Sequence, residues 1–306
     1  FILIHYKSTL VLLLNKISFL KNYITIDPQT QNLEDVSIMS FFHLSDDASL
    51  FYLHTRPTED KPTVVFINAL IGQTEMWEGY IGETLRAHGF GTFSYNFRGQ
   101  VDTRFDPLKE LNPRLIVDDL IKLLQATKPT RPVLVGLSIG GLFAAQAIQN
   151  GAQAEGLVLI NTLRKPGLRL DWINKSTFRA FEAGGRELLL DLMAPMLFGP
   201  SKLAEMRCEA LKEDKYKITA EKDGHLNLMR NAVLADWDFP WHDLDIPTLV
   251  MTGFHDRVFF VNQDVLELSA LIPNMKRIDF ENAGHMIPME QPKQFTDELL
   301  NFLSTL

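Results

Sequence analysis

The chain has 306 residues, of which 46% are hydrophobic and 22% are charged. This composition is typical of a globular protein that buries a sizeable core, either as one large domain or as one domain with an insertion. Its 30 Lys and Arg residues are outnumbered by 38 Asp and Glu residues, and the net charge of −8 argues against nucleic acids and anionic membrane surfaces as main partners. A single cysteine, Cys208, excludes an internal disulfide and a cysteine-rich metal site, and we expect a cytoplasmic location.

Residues 1–38 differ from the rest of the chain because they are apolar without matching a recognisable element. Lys7, Asn15, Lys16 and Lys21 interrupt this stretch, so no run reaches the roughly 20 residues that cross a bilayer. The stretch also lacks the charge order and the small-residue cleavage site of a secretory signal. We interpret residues 1–38 as an N-terminal extension of artefactual origin and expect no integral membrane span. The alternative is an amphipathic segment that docks on the domain or on a membrane surface.

From residue 39 onwards, strand patterns and helix patterns alternate. Short apolar runs indicate the strands, and apolar residues at helical spacing indicate the helices. The predicted strands cover residues 41–44, 49–54, 63–68, 91–96, 133–136, 157–160, 248–251 and 275–280, and the predicted helices cover residues 75–88, 113–127, 139–149, 261–271 and 291–304. Such alternation implies right-handed crossovers, so we predict an α/β fold with a mostly parallel central sheet and helices on both faces.

The alternation stops between residues 163 and 242, where aromatic and Met residues recur at helical spacing without a good strand candidate. We interpret residues 163–242 as a helical cap inserted after the sixth strand, over a site at the carboxyl edge of the sheet. The core domain then consists of residues 39–162 and 243–306. The alternative is an ordinary helical layer packed on the core, because Met and aromatic stripes are more often core than pocket.

The most informative motif is Gly-Leu-Ser-Ile-Gly-Gly at residues 136–141, between a predicted strand and a predicted helix. A serine between glycines at such a junction matches the nucleophile-elbow pattern, in which a sharp turn exposes the serine hydroxyl. Side chains at Gly136 or Gly140 would collide with the neighbouring strand or helix. The motif predicts that Ser138 is a nucleophile, whereas the alternative is a Gly-rich turn without chemistry.

A serine nucleophile needs a base and a group that orients the base. His285 follows the last predicted strand, and Asp256 follows the strand before it, so both lie at the carboxyl edge where the elbow emerges. The chain order Ser138, Asp256, His285 is typical of one hydrolase class. His255 is a weaker candidate for the base, since a residue adjacent to the acid in sequence would point elsewhere.

The developing oxyanion needs two N–H donors. The Ile139 amide, just after the nucleophile, is the first predicted donor. The loop after the first buried parallel strand supplies the second, with the Leu70 amide preferred and the Ala69 amide as the alternative. We expect the Asn68 side chain to hold this loop in place.

Substrate contacts are less well defined by the sequence. A neutral or mildly apolar acyl group suits a pocket lined by the predicted cap, and Arg98, Arg164 and Lys165 are candidate anchors for a substrate carboxylate unless they are solvated surface bases. The histidines show no ligand spacing, so we expect no metal and no cofactor. The candidate substrate-contacting residues are Trp77, Trp172, Met193 and Trp237.

With these residues identified, the chain resembles an α/β-hydrolase from Met39 to its C-terminus. More closely, it is similar to the 3-oxoadipate enol-lactonase and carboxylesterase group, in residues 68–72 (Asn-Ala-Leu-Ile-Gly), 161–162 (Asn-Thr) and 253–256 (Gly-Phe-His-Asp). It departs from the usual Arg-Gly-His-Gly-x-Ser loop, which is replaced by Arg-Gly-Gln-Val-Asp-Thr at residues 98–103. The resemblance therefore implies a fold and a reaction type, and leaves the particular substrate open.

These observations together predict a serine hydrolase that cleaves a small-molecule carboxylic ester or lactone through an acyl-enzyme. A carbon–carbon bond hydrolase of the same fold and a non-catalytic ligand receptor on this fold remain alternatives. Acyl chain length and oligomeric state are left open by the sequence.

Overall fold

The computed structural model describes residues 38–306, so the predicted N-terminal extension lies outside the described residues except for Ile38. A single eight-stranded sheet with the strand order β1-β2-β4-β3-β5-β6-β7-β8 runs through this part of the chain. The first two strands form an antiparallel hairpin, and β2 also pairs antiparallel with β4. All other neighbouring strands are parallel. The strands are β1 (Ile38–Ser45), β2 (Ala48–Thr55), β3 (Thr63–Ile67), β4 (Gly91–Tyr95), β5 (Pro132–Leu137), β6 (Gly156–Ile160), β7 (Thr248–Gly253) and β8 (Met275–Phe280).

Ten α-helices accompany the sheet within residues 38–306. None of these helices is long and apolar enough to cross a membrane. The helices are α1 (Glu75–Glu78), α2 (Tyr80–Ala87), α3 (Pro113–Thr127), α4 (Ile139–Gln149), α5 (Leu168–Leu197), α6 (Pro200–Met206), α7 (Gly224–Asn231), α8 (Asn262–Ala270), α9 (Ile287–Glu290) and α10 (Pro292–Leu303).

The central parallel strands are rich in apolar residues because helices cover both of their faces. Every residue of β3, β4, β6 and β7 is buried. Apolar side chains of α3, α4 and α8 pack on one face, and those of α2 and α10 pack on the other. This arrangement brings the carboxyl ends of β5, β6, β7 and β8 to one edge of the sheet.

One predicted helix is wrong in its extent. The pattern over residues 75–88 predicts a continuous helix, but the structure contains two helices, α1 and α2, separated by Gly79. Gly79 has φ −69° and ψ −130°, which is not a helical conformation, so the axis changes direction there. The break lets α1 bury Trp77 completely while α2 buries Ile81 and Leu85 in the same cluster.

Between β6 and β7 the described chain is helical, with α5, α6, α7 and three short 3₁₀ turns over residues 168–243. Helix α5 is interrupted at Gly185, whose φ of 71° and ψ of −164° lie outside the helical region. We call residues 168–234 the helical segment. Its division from the core as a cap over residues 163–242 stays a prediction.

Candidate active site

The turn after β5 places Ser138 in a strained backbone conformation, with φ 58° and ψ −123°. Its neighbours leave no room for side chains. A Cβ on Gly136 would lie 2.4 Å from the Cα of Gly141, and a Cβ on Gly140 would lie 2.4 Å from the carbonyl oxygen of Asn68. Glycine is therefore required on both sides of Ser138, as the motif predicts.

The strained serine is held by its backbone. The Ser138 amide donates to the carbonyl of Ile160 at 2.8 Å, and the Thr162 hydroxyl donates to the carbonyl of Ser138 at 2.9 Å. Both partners belong to the end of β6 and the residues just after it. Helix α4 begins at Ile139, so the first amides of the helix lie beside the Ser138 side chain.

Asp256 and His285 form a buried hydrogen-bonded pair, in which Nδ1 of His285 lies 2.6 Å from Oδ2 of Asp256. The other carboxylate oxygen, Oδ1, accepts from the amides of Val258 at 3.1 Å and Phe259 at 2.9 Å. Burial acts to raise the pKa of Asp256, but His285, the Phe259 amide and the charge of Arg164 outweigh it and hold the pKa below its ordinary value. The carboxylate is therefore ionised at neutral pH, and Nε2 is the imidazole nitrogen not engaged by it.

Asn161 ties the three loops of this edge together. Its Nδ2 donates to the carbonyls of Gly284 at 3.0 Å and His285 at 2.9 Å, and its Oδ1 accepts from the Gly253 amide at 2.8 Å. Because Asn161 directly follows Ile160, the carbonyl that binds the Ser138 amide and the side chain that binds the His285 loop belong to consecutive residues. The sequence singles out Asn161 only as part of a family motif.

The Glu290 carboxylate is a second polar group that fixes the His285 loop. The Glu290 carboxylate accepts from the amides of Gly284 at 3.0 Å, Met286 at 3.1 Å and Gly199 at 2.7 Å. Gly199 lies between α5 and α6, so this carboxylate also connects the loop to the helices after β6. No sequence pattern pointed to Glu290, which directly precedes the predicted helix over residues 291–304.

The loop after β3 is held by a buried network around Asn68. Its Nδ2 donates to the Tyr95 carbonyl and to Oε1 of Gln100, both at 3.0 Å, and its Oδ1 accepts from the Trp77 indole at 2.8 Å. These contacts agree with the expectation that Asn68 holds the loop in place. The prediction that Trp77 contacts substrate is wrong, because its ring is fully buried and stacks on Phe66 with ring centroids 4.6 Å apart.

Gln100 orients the same loop. Its Nε2 donates to the carbonyls of Ala69 at 2.9 Å and Leu70 at 3.1 Å. In a trans peptide the N–H points opposite to the carbonyl, and the described chain contains no cis peptide. The Leu70 amide therefore points away from Gln100. Sequence analysis noted the departure from the family loop at this position and missed its role.

Arg164 is the residue whose hydrogen bond reaches the Ser138 hydroxyl. Its Nη2 donates to Oγ of Ser138 at 3.1 Å and to the carbonyl of Asn161 at 2.8 Å. The guanidinium packs against two rings, with its carbon 4.5 Å from the centre of Trp237 and 4.2 Å from that of Phe259. Phe259 in turn contacts the His285 ring, with centroids 4.9 Å apart, so these side chains form a continuous layer from Ser138 to His285.

The other two candidate carboxylate anchors are engaged elsewhere, so those predictions are wrong. Arg98 forms a buried two-bond ion pair with Asp119, at 2.9 and 2.7 Å. Lys165 pairs with Glu267 and lies 3.9 Å from Asp264, both on the surface of α8. Only Arg164 of the three meets the serine.

Two predicted substrate contacts, Trp172 and Met193, line an open cavity of about 660 Å³. The cavity borders Val258, whose amide donates to Oδ1 of Asp256. Trp237, by contrast, is buried beneath Arg164 and supports that side chain. Within residues 38–306 no group of three or more His, Cys, Asp or Glu residues is arranged to hold a metal ion.

Comparison with known proteins gives this geometry a family context. A model of the α/β-hydrolase fold matches residues 62–292. A protein of Enterobacter cloacae subsp. cloacae named "Putative carbamate hydrolase RutD" is 24% identical over 256 residues, which cover 82% of this chain and 94% of that protein. The MGS-M2 α/β-hydrolase from a Medee basin deep-sea metagenome library superposes with a TM-score of 0.75 at 19% identity, covering 87% of this chain and 97% of the other. The enol-lactonase of Burkholderia xenovorans LB400 gives a TM-score of 0.71 at 21% identity, covering 87% and 100%.

The matches confirm the predicted α/β-hydrolase fold and the structural similarity to an enol-lactonase and an esterase. At these identities the superpositions concern the fold alone.

Proposed function

This chain belongs to the α/β-hydrolase family, and from that premise we propose that it is a serine hydrolase that cleaves a carboxylic ester or lactone through an acyl-enzyme. Ser138 is the proposed nucleophile, His285 the general base and Asp256 the group that orients the base. The amides of Leu70 and Ile139 are the proposed oxyanion donors.

One observation carries this proposal. Ser138 occupies a strained conformation, and its amide and the His285 carbonyl are bound by consecutive residues at the end of β6. Strain of this kind costs about 1–3 kcal/mol, persists only where the surrounding structure holds it, and is concentrated at functional sites. Acyl transfer needs a serine, a base and a carboxylate that orients the base, and the buried pair of Asp256 and His285 lies in loops that Asn161 ties to the strand end holding Ser138.

The proposed reaction runs in two halves. Nε2 of His285 takes the Ser138 proton while Oγ attacks the carbonyl carbon, and Asp256 stabilises the imidazolium. The negative charge on the carbonyl oxygen is stabilised by the two amides, and His285 then protonates the departing alkoxide. Water, deprotonated by His285, attacks the acyl-serine, and His285 returns that proton to Oγ of Ser138 as the acid is released. In a lactone the departing oxygen stays in the same product molecule.

The names of the relatives favour carbamates as a second substrate class. The RutD protein of E. cloacae, 24% identical, is named for carbamate hydrolysis. A carbamate presents a carbonyl to the same nucleophile, so the steps above apply with a carbamoyl-serine in place of the acyl-serine. A short carbamate belongs in the same substrate panel as the esters.

Substitution of the serine tests the mechanism. We expect Ser138→Ala to lower kcat/KM for 4-nitrophenyl butyrate by about a thousandfold or more, and His285→Asn to act similarly. His255→Asn is the matched control for His285→Asn, because His255 is a neighbour of Asp256 in sequence and is half-buried. It should keep most of the activity.

A fluorophosphonate probe gives an independent readout of the nucleophile. The probe should attach to the peptide that contains Ser138 in the unchanged protein, and not to the Ser138→Ala variant. Activity retained in Ser138→Ala, or a label on another residue, would rule the mechanism out.

A further inference from the structure

Arg164 is a buried cation without an anionic partner in the described chain. The side chain is 5% exposed. Its recorded acceptors are the carbonyls of Asn161 and Thr162 and the Ser138 hydroxyl, all of them uncharged. Within residues 38–306 no carboxylate forms an ion pair with it, and Nη1 donates to no acceptor there.

The acidic group whose charge acts on Arg164 is already occupied. Asp256 gives both oxygens to His285, Val258 and Phe259. Burial lowers the pKa of Arg164 to about 10, with the charge of Asp256 acting in the opposite direction. Arg164 therefore stays charged at neutral pH, and a buried charge of this kind is costly unless an anion joins it.

We propose that Arg164 binds a carboxylate of the substrate, so that the substrates are short acyl compounds that carry a carboxylate near the scissile carbonyl. This inference rests on the proposed function, since it identifies the acyl group that Ser138 attacks. It selects Arg164 from the three candidate carboxylate anchors and replaces the expectation of a neutral or mildly apolar acyl group.

The position of the guanidinium limits the acyl chain. Nη2 lies 3.1 Å from the attacking oxygen. A carboxylate bound to the guanidinium while the serine is in attack range of the carbonyl must therefore be separated from that carbonyl by about one to three carbon atoms, given ordinary hydrogen-bond and attack distances. Half-esters of malonate, succinate and glutarate meet this condition.

The surrounding rings favour arginine over lysine in this role. The planar guanidinium packs against the rings of Trp237 and Phe259 and donates from Nη2 to Ser138. Stacking of this kind is specific to the flat delocalised group, and a lysine ammonium would not reproduce the fork that binds a carboxylate.

The test compares two esters of nearly equal shape in a pH-stat: monomethyl succinate, which is anionic, and methyl 4-methylvalerate, which is neutral. The unchanged protein should prefer the anionic ester. Arg164→Gln should lower the anionic-to-neutral ratio of kcat/KM by about 30-fold or more, chiefly through KM, because a buried charge pair loses one partner. Arg164→Lys should recover only part of the ratio. Lys165→Gln, at the neighbouring surface cation, is the matched control and should leave the ratio unchanged.

A binding measurement separates this inference from the proposed function. Monomethyl succinate should bind to the Ser138→Ala variant in calorimetry, and binding should be lost in Ser138→Ala combined with Arg164→Gln. If the unchanged protein hydrolyses both esters without anionic preference, or if Arg164→Gln affects both equally, the inference is overturned and the proposed function stands. If neither ester is hydrolysed, ester hydrolysis is overturned, and the calorimetry decides: Arg164-dependent binding supports the inference, and its absence overturns it.

Discussion

The carboxyl edge of the sheet and the helical segment are held by different forces. The edge, comprising the residues that follow β5, β6, β7 and β8, is tied by hydrogen bonds from buried polar side chains such as Asn161 and Glu290 to backbone groups. The helical segment packs around an apolar cluster of its own, and it exposes Leu168 at 78% and Trp172 at 71%. The members of the cluster are Phe181, Leu189, Leu226 and Met229.

This contrast separates two tasks. Directional bonds to the backbone allow one geometry, so they suit the positioning of Ser138, Asp256 and His285. Apolar contacts tolerate exchange of side chains of similar volume, so they suit a wall that adapts to different substrates. We therefore expect substitutions at the edge to abolish turnover and substitutions in the helical segment to shift substrate preference.

The largest effect is expected at Gly140. A Cβ there would lie 2.4 Å from the carbonyl oxygen of Asn68 and 2.5 Å from that of Ile67, and neither backbone group is able to move aside. Gly140→Ala should lower the free energy of unfolding in urea by about 3 kcal/mol or more and abolish turnover. Gly151→Ala is the control, because Gly151 has φ +96° but no atom within 4 Å of the added Cβ. It should cost about 1–2 kcal/mol. Equal costs for the two variants would contradict the steric argument.

The stability of the sheet should depend on pH through His54, a buried histidine outside the candidate active site. Burial, together with the charge of Arg56, lowers the pKa of His54 on β2 to about 4 from 6.5. Below pH 6.5 the unfolded chain binds a proton that the native His54 does not, so the stability is lost as the pH falls from about 6.5 to about 4, by about 3 kcal/mol in all.

His54→Leu should remove this acid sensitivity in urea unfolding measured at pH 7 and pH 4.5, and His43→Leu, at an exposed site on β1, should leave it in place. An unchanged pH dependence in His54→Leu would show that other groups cause the loss.

At the edge itself, Gln100 offers a test of the oxyanion loop. Gln100→Ala removes the donor that holds the carbonyls of Ala69 and Leu70. We expect kcat for 4-nitrophenyl butyrate to fall about a hundredfold with a small change in KM, as for the loss of one oxyanion donor. Gln146→Ala, at a half-buried glutamine of α4, is the control. A rise in KM at constant kcat would instead assign Gln100 to substrate binding.

The smallest effect is expected in the helical segment. Trp172 lines the cavity beside Val258 and is largely exposed. Trp172→Ala should change the stability by about 0.5 kcal/mol at most. It should raise KM for a bulky ester about two- to fivefold, because some apolar contact is lost. Leu108→Ala, at a site 84% exposed on a loop that does not line this cavity, should change neither quantity. A large fall in kcat in Trp172→Ala would contradict the expectation that the helical segment affects substrate preference and not turnover.

Local patterns in the sequence were sufficient for the elements and for the serine turn. The apolar runs of β3, β5, β6 and β7 are long enough to predict buried strands. The glycines at residues 136 and 140 match a turn in which neither position has room for a Cβ. The pattern over residues 75–88 does not reveal the break at Gly79, because a single glycine is tolerated within a helical pattern.

The partners of the polar side chains were decided by the tertiary structure alone. Arg98, Arg164 and Lys165 are equivalent as bases in the sequence, yet one pairs with Asp119, one with α8, and one reaches Ser138. A hydrogen bond or an ion pair depends on distances of a few ångströms between groups that are far apart along the chain. Residue type and local spacing determine which positions repeat as apolar and which backbone conformations are allowed. The distances between polar groups are set only when the strands pack side by side.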